Sequence, residues 1–104
     1  MEILLLTQEN LRSYELLAIF SPEITSGRMD DKIQEISTLI ELEGGQISTK
    51  DNLGLKSLSY PIKKQSEGNY VLFNLNTNPS SISALNKTLN EDEGILRFSI
   101  IKTN

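Results

Sequence analysis

Three lysines, a tyrosine and a proline fall within Gly54-Leu55-Lys56-Ser57-Leu58-Ser59-Tyr60-Pro61-Ile62-Lys63-Lys64, and no acidic residue interrupts them. Leu58, Tyr60 and Ile62 alternate with Ser59, Pro61 and Lys63, which predicts a strand. Pro61 has no N–H to give to a ladder, so this strand lies at a sheet edge or carries a bulge. Lys56, Lys63 and Lys64 then project from an exposed strand and the turn that follows it. Cations so placed can meet phosphate, a contact that holds a nucleic acid without reading its sequence. They serve equally well as solvated charges that keep an edge strand from pairing with another chain. A further cation, Arg97, stands inside the apolar run Ile95-Leu96-Arg97-Phe98. On the solvent side of a strand it either pairs across to Glu15 or reaches a phosphate or a partner protein.

Composition narrows the chemistry. The chain of 104 residues has no Cys and no His. That removes disulfides, thiolate metal sites, the commonest general base and the commonest metal ligand together. Glu91-Asp92-Glu93 is an acidic run at a predicted helix end, which reads as solvated charge; no metal and no cofactor are expected. No apolar run reaches membrane-spanning length, and the early acids Glu2 and Glu9 do not suit a signal or transit peptide. The formal net charge is −4, unevenly spread. Residues 1–49 hold three basic and nine acidic side chains, net −6, whereas residues 50–104 hold seven and five, net +2. A nucleic acid would meet the second half, and the acidic first half could face a basic protein.

The elements that must carry these residues follow from periodicity. Residues 14–20 alternate, with Tyr14, Leu16, Ala18 and Phe20 on one face and Glu15, Leu17 and Ile19 on the other. After Ser21-Pro22 and a loop to about Gly27, the residues Met29, Ile33, Ile36 and Ile40 define one helix face. Asp30 and Asp31 are expected in its first turn, where the helix dipole favours anions, and Gly44-Gly45 stops it. A second strand runs from Gln46 through Ile47 into the lysine stretch, with Gly54 as a bulge or bend. Gln65-Ser66-Glu67-Gly68 is expected to turn. In a third strand, Val71, Phe73 and Leu75 face the core while Tyr70, Leu72 and Asn74 oppose them. Asn78-Pro79 starts a second helix with Ile82, Leu85 and Leu89 inward. A last strand is expected to place Leu96, Phe98 and Ile100 on one face, and Arg97 and Ser99 on the other. The order βαββαβ predicts an α+β, ferredoxin-like domain over residues 14–104: a four-stranded antiparallel sheet with two helices on one face. Residues 1–13 form an N-terminal extension in which Leu4, Leu5 and Leu6 could extend a strand.

Gly54, Lys56, Leu58, Ser59, Tyr60, Ile62 and Lys63 together resemble the signature of the bacterial-type small-ribosomal-subunit protein six family. Ser57 departs from it, because many members carry a second charged or amide residue there. Tyr14-Glu15-Leu16, Gly44-Gly45, Gly68-Asn69-Tyr70-Val71-Leu72 and Leu96-Arg97-Phe98 extend the resemblance across residues 14–102. It implies a non-enzymatic constituent of the small ribosomal subunit, without small-molecule substrate or membrane. It further implies binding to the central domain of small-subunit rRNA together with ribosomal protein eighteen. Lys56, Tyr60, Lys63, Lys64 and Arg97 are then the expected RNA-binding residues. Gly54-Leu55-Lys56-Ser57-Leu58 is similar to alphaproteobacterial and mitochondrial members, which leaves the ribosome's compartment open between mitochondrion and bacterial cytoplasm. An RNA-recognition motif shares the topology but stacks bases on its central strands, and Glu67-Gly68-Asn69 lacks the basic-Gly-aromatic pattern that would require. The other function class is a ferredoxin-like sensing domain or an acylphosphatase-like enzyme. The latter needs an arginine within the loop after the first strand, where residues 21–28 offer Glu23 and only a terminal Arg28.

Overall fold

The computed structural model describes residues 11–103; Leu4, Leu5 and Leu6, read as able to extend a strand, lie outside them. Six elements follow the predicted order: β1 (Arg12–Phe20), α1 (Ser26–Leu42), β2 (Gln46–Ile62), β3 (Gln65–Thr77), α2 (Pro79–Glu91) and β4 (Ile95–Lys102). The strands form one antiparallel sheet in the order β2-β3-β1-β4, the ferredoxin-like arrangement. Its core is assembled by the predicted inward sets. Leu16, Ala18 and Phe20 of β1 and Val71, Phe73 and Leu75 of β3 pack with Met29, Ile36 and Ile40 of α1 and with Leu85 and Leu89 of α2. Both helices therefore cover the same face.

Local signals act as expected at several places. The C-terminus of α1 is closed by Gly45 N–H donating to Ile40 O at 2.9 Å and Gly44 N–H to Glu41 O at 3.0 Å. That reciprocal pattern needs a left-handed residue, supplied by Gly44 at φ 88°. Pro79 opens α2 after Asn78, which holds the cap position through its carbonyl, accepting from Ser81 N–H at 2.8 Å, and not through a side-chain hydrogen bond. Gly54, at φ 85°, occupies a break in the β2–β3 register between Asn52 and Gly54, the expected bulge.

Elsewhere the structure corrects the sequence reading. The helix α1 starts at Ser26, about two residues earlier than expected, so Asp30 and Asp31 fall beyond its first turn. Met29, 2% exposed, packs on the core as its place on the helix face predicts. The β2–β3 turn is not at Gln65-Ser66-Glu67-Gly68. Ile62 pairs with Gln65, leaving Lys63 and Lys64 as a two-residue loop with φ of 50° and 67°. Positive φ at both central positions marks the tight hairpin turn that normally uses Asn-Gly. For lysine the left-handed region costs roughly 1–2 kcal/mol per residue. Replacing Lys63 with Asn and Lys64 with Gly together is therefore expected to stabilise the fold by about 1 kcal/mol. A thermal melt reads this as a rise of about 4–8 °C, and an unchanged or lower midpoint would contradict the strained turn.

The last strand is also shifted. A register break between Ile19 and Phe20 places Ile95 opposite Phe20 and inside the core. Leu96, expected inward with Phe98 and Ile100, is buried outside the core cluster, with its Cδ1 facing Gly68. The same register sets Arg97 opposite Ile19 and Glu15 opposite Ile101, so the cross-strand Arg97–Glu15 pair is not formed. At the end of α2, Asp92 is not simply solvated. It takes Lys32 Nζ at 3.2 Å and the Gly94 N–H at 2.8 Å, while Glu91 and Glu93 stay exposed.

Candidate nucleic-acid interface

The paired part of β1 ends at Phe20, opposite Asn69, but β3 begins four residues earlier at Gln65. The β2–β3 hairpin thus outruns its neighbour and forms an arm, in a molecule 50 Å long and 25 by 22 Å across. Gly68 lies where the arm passes the end of β1. A Cβ there would collide with Cγ2 of Ile19 and lie 3.2 Å from Phe20 O, so only glycine lets the two backbones approach this closely.

The lysine stretch is not the regular strand its alternation predicts. Pairing passes from Ser57↔Glu67 directly to Ile62↔Gln65, five steps along β2 against two along β3. Three extra residues are accommodated around Leu58, Ser59, Tyr60 and Pro61. Proline is tolerated here for two reasons, since β2 is an edge strand and the segment bulges out of the ladder. The bulge lets Tyr60 leave the sheet's hydrogen-bonding row and cross to β4.

Three of the five expected site residues converge there. Arg97 Nη1 donates to Tyr60 Oη at 2.6 Å, and the guanidinium carbon stands 5.5 Å from the ring centroid. Lys63 Nζ donates to the Ile95 carbonyl at 3.2 Å, which spends one of its three donors. Lys63 and Arg97 border one open cleft, floored by Ile82, Leu89 and Phe98 between α2 and β4. Lys56 and Lys64 are not drawn into this group. Both are exposed on the arm, opposite Gly68 and at the turn respectively, and make no hydrogen bond or ion pair among the described residues.

Two features escaped the reading of the lysine stretch. Leu53 and Leu55 are exposed along the arm. The open face of the sheet is apolar at its middle, where Leu17 lies opposite Leu72 and Ile19 opposite Tyr70. The alternation had already placed these four on that face, so the signal was present in the sequence. Polar pairs border them: Asn74 Nδ2 to Thr49 Oγ1 at 2.8 Å and Ser13 Oγ to Asn76 Oδ1 at 2.6 Å. Among the described residues no set of three or more His, Cys, Asp or Glu side chains is placed to hold a metal, and no helix is long and apolar enough to cross a membrane.

The described residues thus form a ferredoxin-like sheet with a protruding cationic arm and an open face that is apolar at its middle. Comparison with known proteins narrows this. The profile of the ribosomal protein S6 family matches residues 13–102. Small ribosomal subunit protein bS6 of Caldanaerobacter subterraneus subsp. tengcongensis is 37% identical over 94 residues, covering 90% of this chain and 99% of that one. The bS6 protein of Bacteroides thetaiotaomicron is 33% identical over 92 residues, covering 88% and 81%. Among solved structures, 30S ribosomal protein S6 of Thermotoga maritima superposes with a TM-score of 0.86 at 21% identity, over 89% of this chain and 88% of that one, which shows the shared fold. The chain belongs to the ribosomal protein S6 family, and so is a ribosomal protein rather than an enzyme.

Proposed function

We propose that this protein is a structural constituent of the small ribosomal subunit and binds the central domain of small-subunit rRNA together with ribosomal protein eighteen. The observation that carries the reading is the bulged arm. It delivers Tyr60 to Arg97 and Lys63 to the Ile95 carbonyl, and holds the Lys56 and Lys64 side chains unpaired on the same projection. Two lysines kept in left-handed backbone at the turn support it further, because strain of this kind persists where the side chains are needed. Lys56, Lys63, Lys64 and Arg97 form the phosphate-binding set, and Tyr60 fixes the arm against β4. Binding and assembly, not catalysis, is the mechanism. An acylphosphatase-like cradle finds no support, since Arg28 lies within α1 instead of the loop after β1.

The partner protein has two candidate seats. Asp30, Asp31, Glu35 and Glu41 are exposed on α1 and would attract a basic surface; the apolar open face would take an uncharged one. The net charge of −6 over residues 1–49 favours the first. Association with purified ribosomal protein eighteen, followed by titration calorimetry, should weaken as ionic strength rises past about 0.1 M, where exposed charges more than ~10 Å apart are screened. Salt-independent association would move the partner to the open face. Failure of the two proteins together to retain a central-domain rRNA fragment would overturn the functional reading itself.

A further inference from the structure

Tyr60 is 54% exposed, although a large aromatic residue is costly to leave in water. Arg97 lies over its ring at cation–π distance without stacking flat on it. Flat stacking would bring the guanidinium to a separation of about 3.5–4.0 Å. Instead the guanidinium carbon is 5.5 Å from the centroid and one nitrogen is on the phenolic oxygen, at the rim. Arg97 thus holds the ring by its hydroxyl end, and the observed exposure leaves ring face available to a ligand. The neighbours of Tyr60 in sequence are mixed: Leu58, Pro61 and Ile62 are apolar, Ser57 and Ser59 carry hydroxyls, and Lys63 and Lys64 add two cations within four residues. An oriented aromatic face beside ammonium groups is the chemistry that receives a splayed-out nucleobase and its flanking phosphates.

We propose that Tyr60 stacks one unpaired nucleobase of the bound RNA, with Arg97 positioning the ring and Lys63 and Lys64 meeting the adjacent phosphates. This rests on the rRNA-binding reading and adds to it a preference for RNA that carries an unpaired nucleotide. The location differs from an RNA-recognition motif, whose platforms lie on the central strands. Here the central-strand Tyr70 is half-buried opposite Ile19, and the platform sits on the arm.

The test uses the full chain, with and without ribosomal protein eighteen, and two RNA hairpins. One is fully paired; the other is identical but for a single bulged 2-aminopurine. Wild type should bind the bulged hairpin about five- to hundredfold more tightly, the range for stacking one base on one aromatic side chain, and should quench the 2-aminopurine fluorescence. Tyr60→Leu and Tyr60→Phe both lose the hydroxyl that Arg97 holds and should lower affinity for the paired hairpin alike, but Tyr60→Leu should abolish the preference and the quench whereas Tyr60→Phe, which keeps a ring, should retain a reduced form of both. Arg97→Lys retains the charge and therefore the salt slope, but should reduce the preference; an undiminished preference would remove Arg97 from ring positioning. Equal binding of the two hairpins by wild type, or an intact preference in Tyr60→Leu, overturns the stacking site and leaves the RNA-binding reading standing. Absence of salt-dependent binding to either hairpin, with and without the partner, overturns both.

Discussion

Replacing Phe73 with alanine is expected to lower the unfolding free energy by about 3–5 kcal/mol, the range for removing a large aromatic from a packed core. Phe73 is 0% exposed and lies on β3, an inner strand flanked by β2 and β1. It sits opposite Leu16, itself fully buried, and joins the cluster contributed by both helices. No single neighbour can collapse into the space without breaking the sheet register, so the cavity persists. Urea unfolding should show a lower midpoint with an unchanged slope, since the surface exposed on unfolding is nearly the same. A loss under about 1 kcal/mol, the size of a surface substitution, would mean that β3 is one residue out of register, because such a slip moves every side chain to the other face.

That inward face was legible in the sequence because a single rule governs it. Wherever one face of a strand is buried, alternation specifies the inward set, and Leu16, Ala18, Val71 and Phe73 belong to it; which of them stand opposite one another is set by the sheet. The helix faces through Ile36 and Leu85 were legible for the corresponding reason at helical period. The failures have a different origin. Gln65-Ser66-Glu67-Gly68 carries the residues that turns prefer and Lys63-Lys64 does not, yet the hairpin turns at the lysines and Gly68 is needed against Ile19. Local preference was outweighed by a tertiary approach. Bulges defeat period counting altogether. One irregularity beside Phe20 replaces Leu96 with Ile95 in the core, and another around Tyr60 turns a predicted strand into a projection. The composition of the proposed site was legible, since Lys56, Tyr60, Lys63, Lys64 and Arg97 could all be named from the sequence. Its geometry was not, because the meeting of Tyr60 with Arg97 spans 37 residues and depends on that second bulge.

Removal of all four cations of the proposed interface, Lys56, Lys63, Lys64 and Arg97, by alanine should have the largest effect on RNA binding. Each ammonium or guanidinium that neutralises a phosphate releases condensed counterions, so each contributes about 0.7–0.9 to the slope of log affinity against log salt. Four together should flatten that slope by about three units and shrink the affinity change between about 50 and 200 mM salt by roughly a hundredfold. Cognate and unrelated RNAs should lose affinity alike, because phosphate contacts carry no sequence information. The singly substituted proteins divide the effect. Lys56→Ala and Lys64→Ala remove side chains with no hydrogen bond or ion pair among the described residues, so their effect should be confined to binding. Lys63→Ala and Arg97→Ala also release the arm from Ile95 and Tyr60, and should broaden the loss beyond the charge itself. The fold should survive all four changes, since each of these side chains is exposed. The measurement is RNA binding by the partner-bound protein across a salt series, with circular dichroism as the check on folding. If the quadruple variant retains both the affinity and the slope of wild type, these cations are the solvated guard of an edge strand and the RNA lies on another surface.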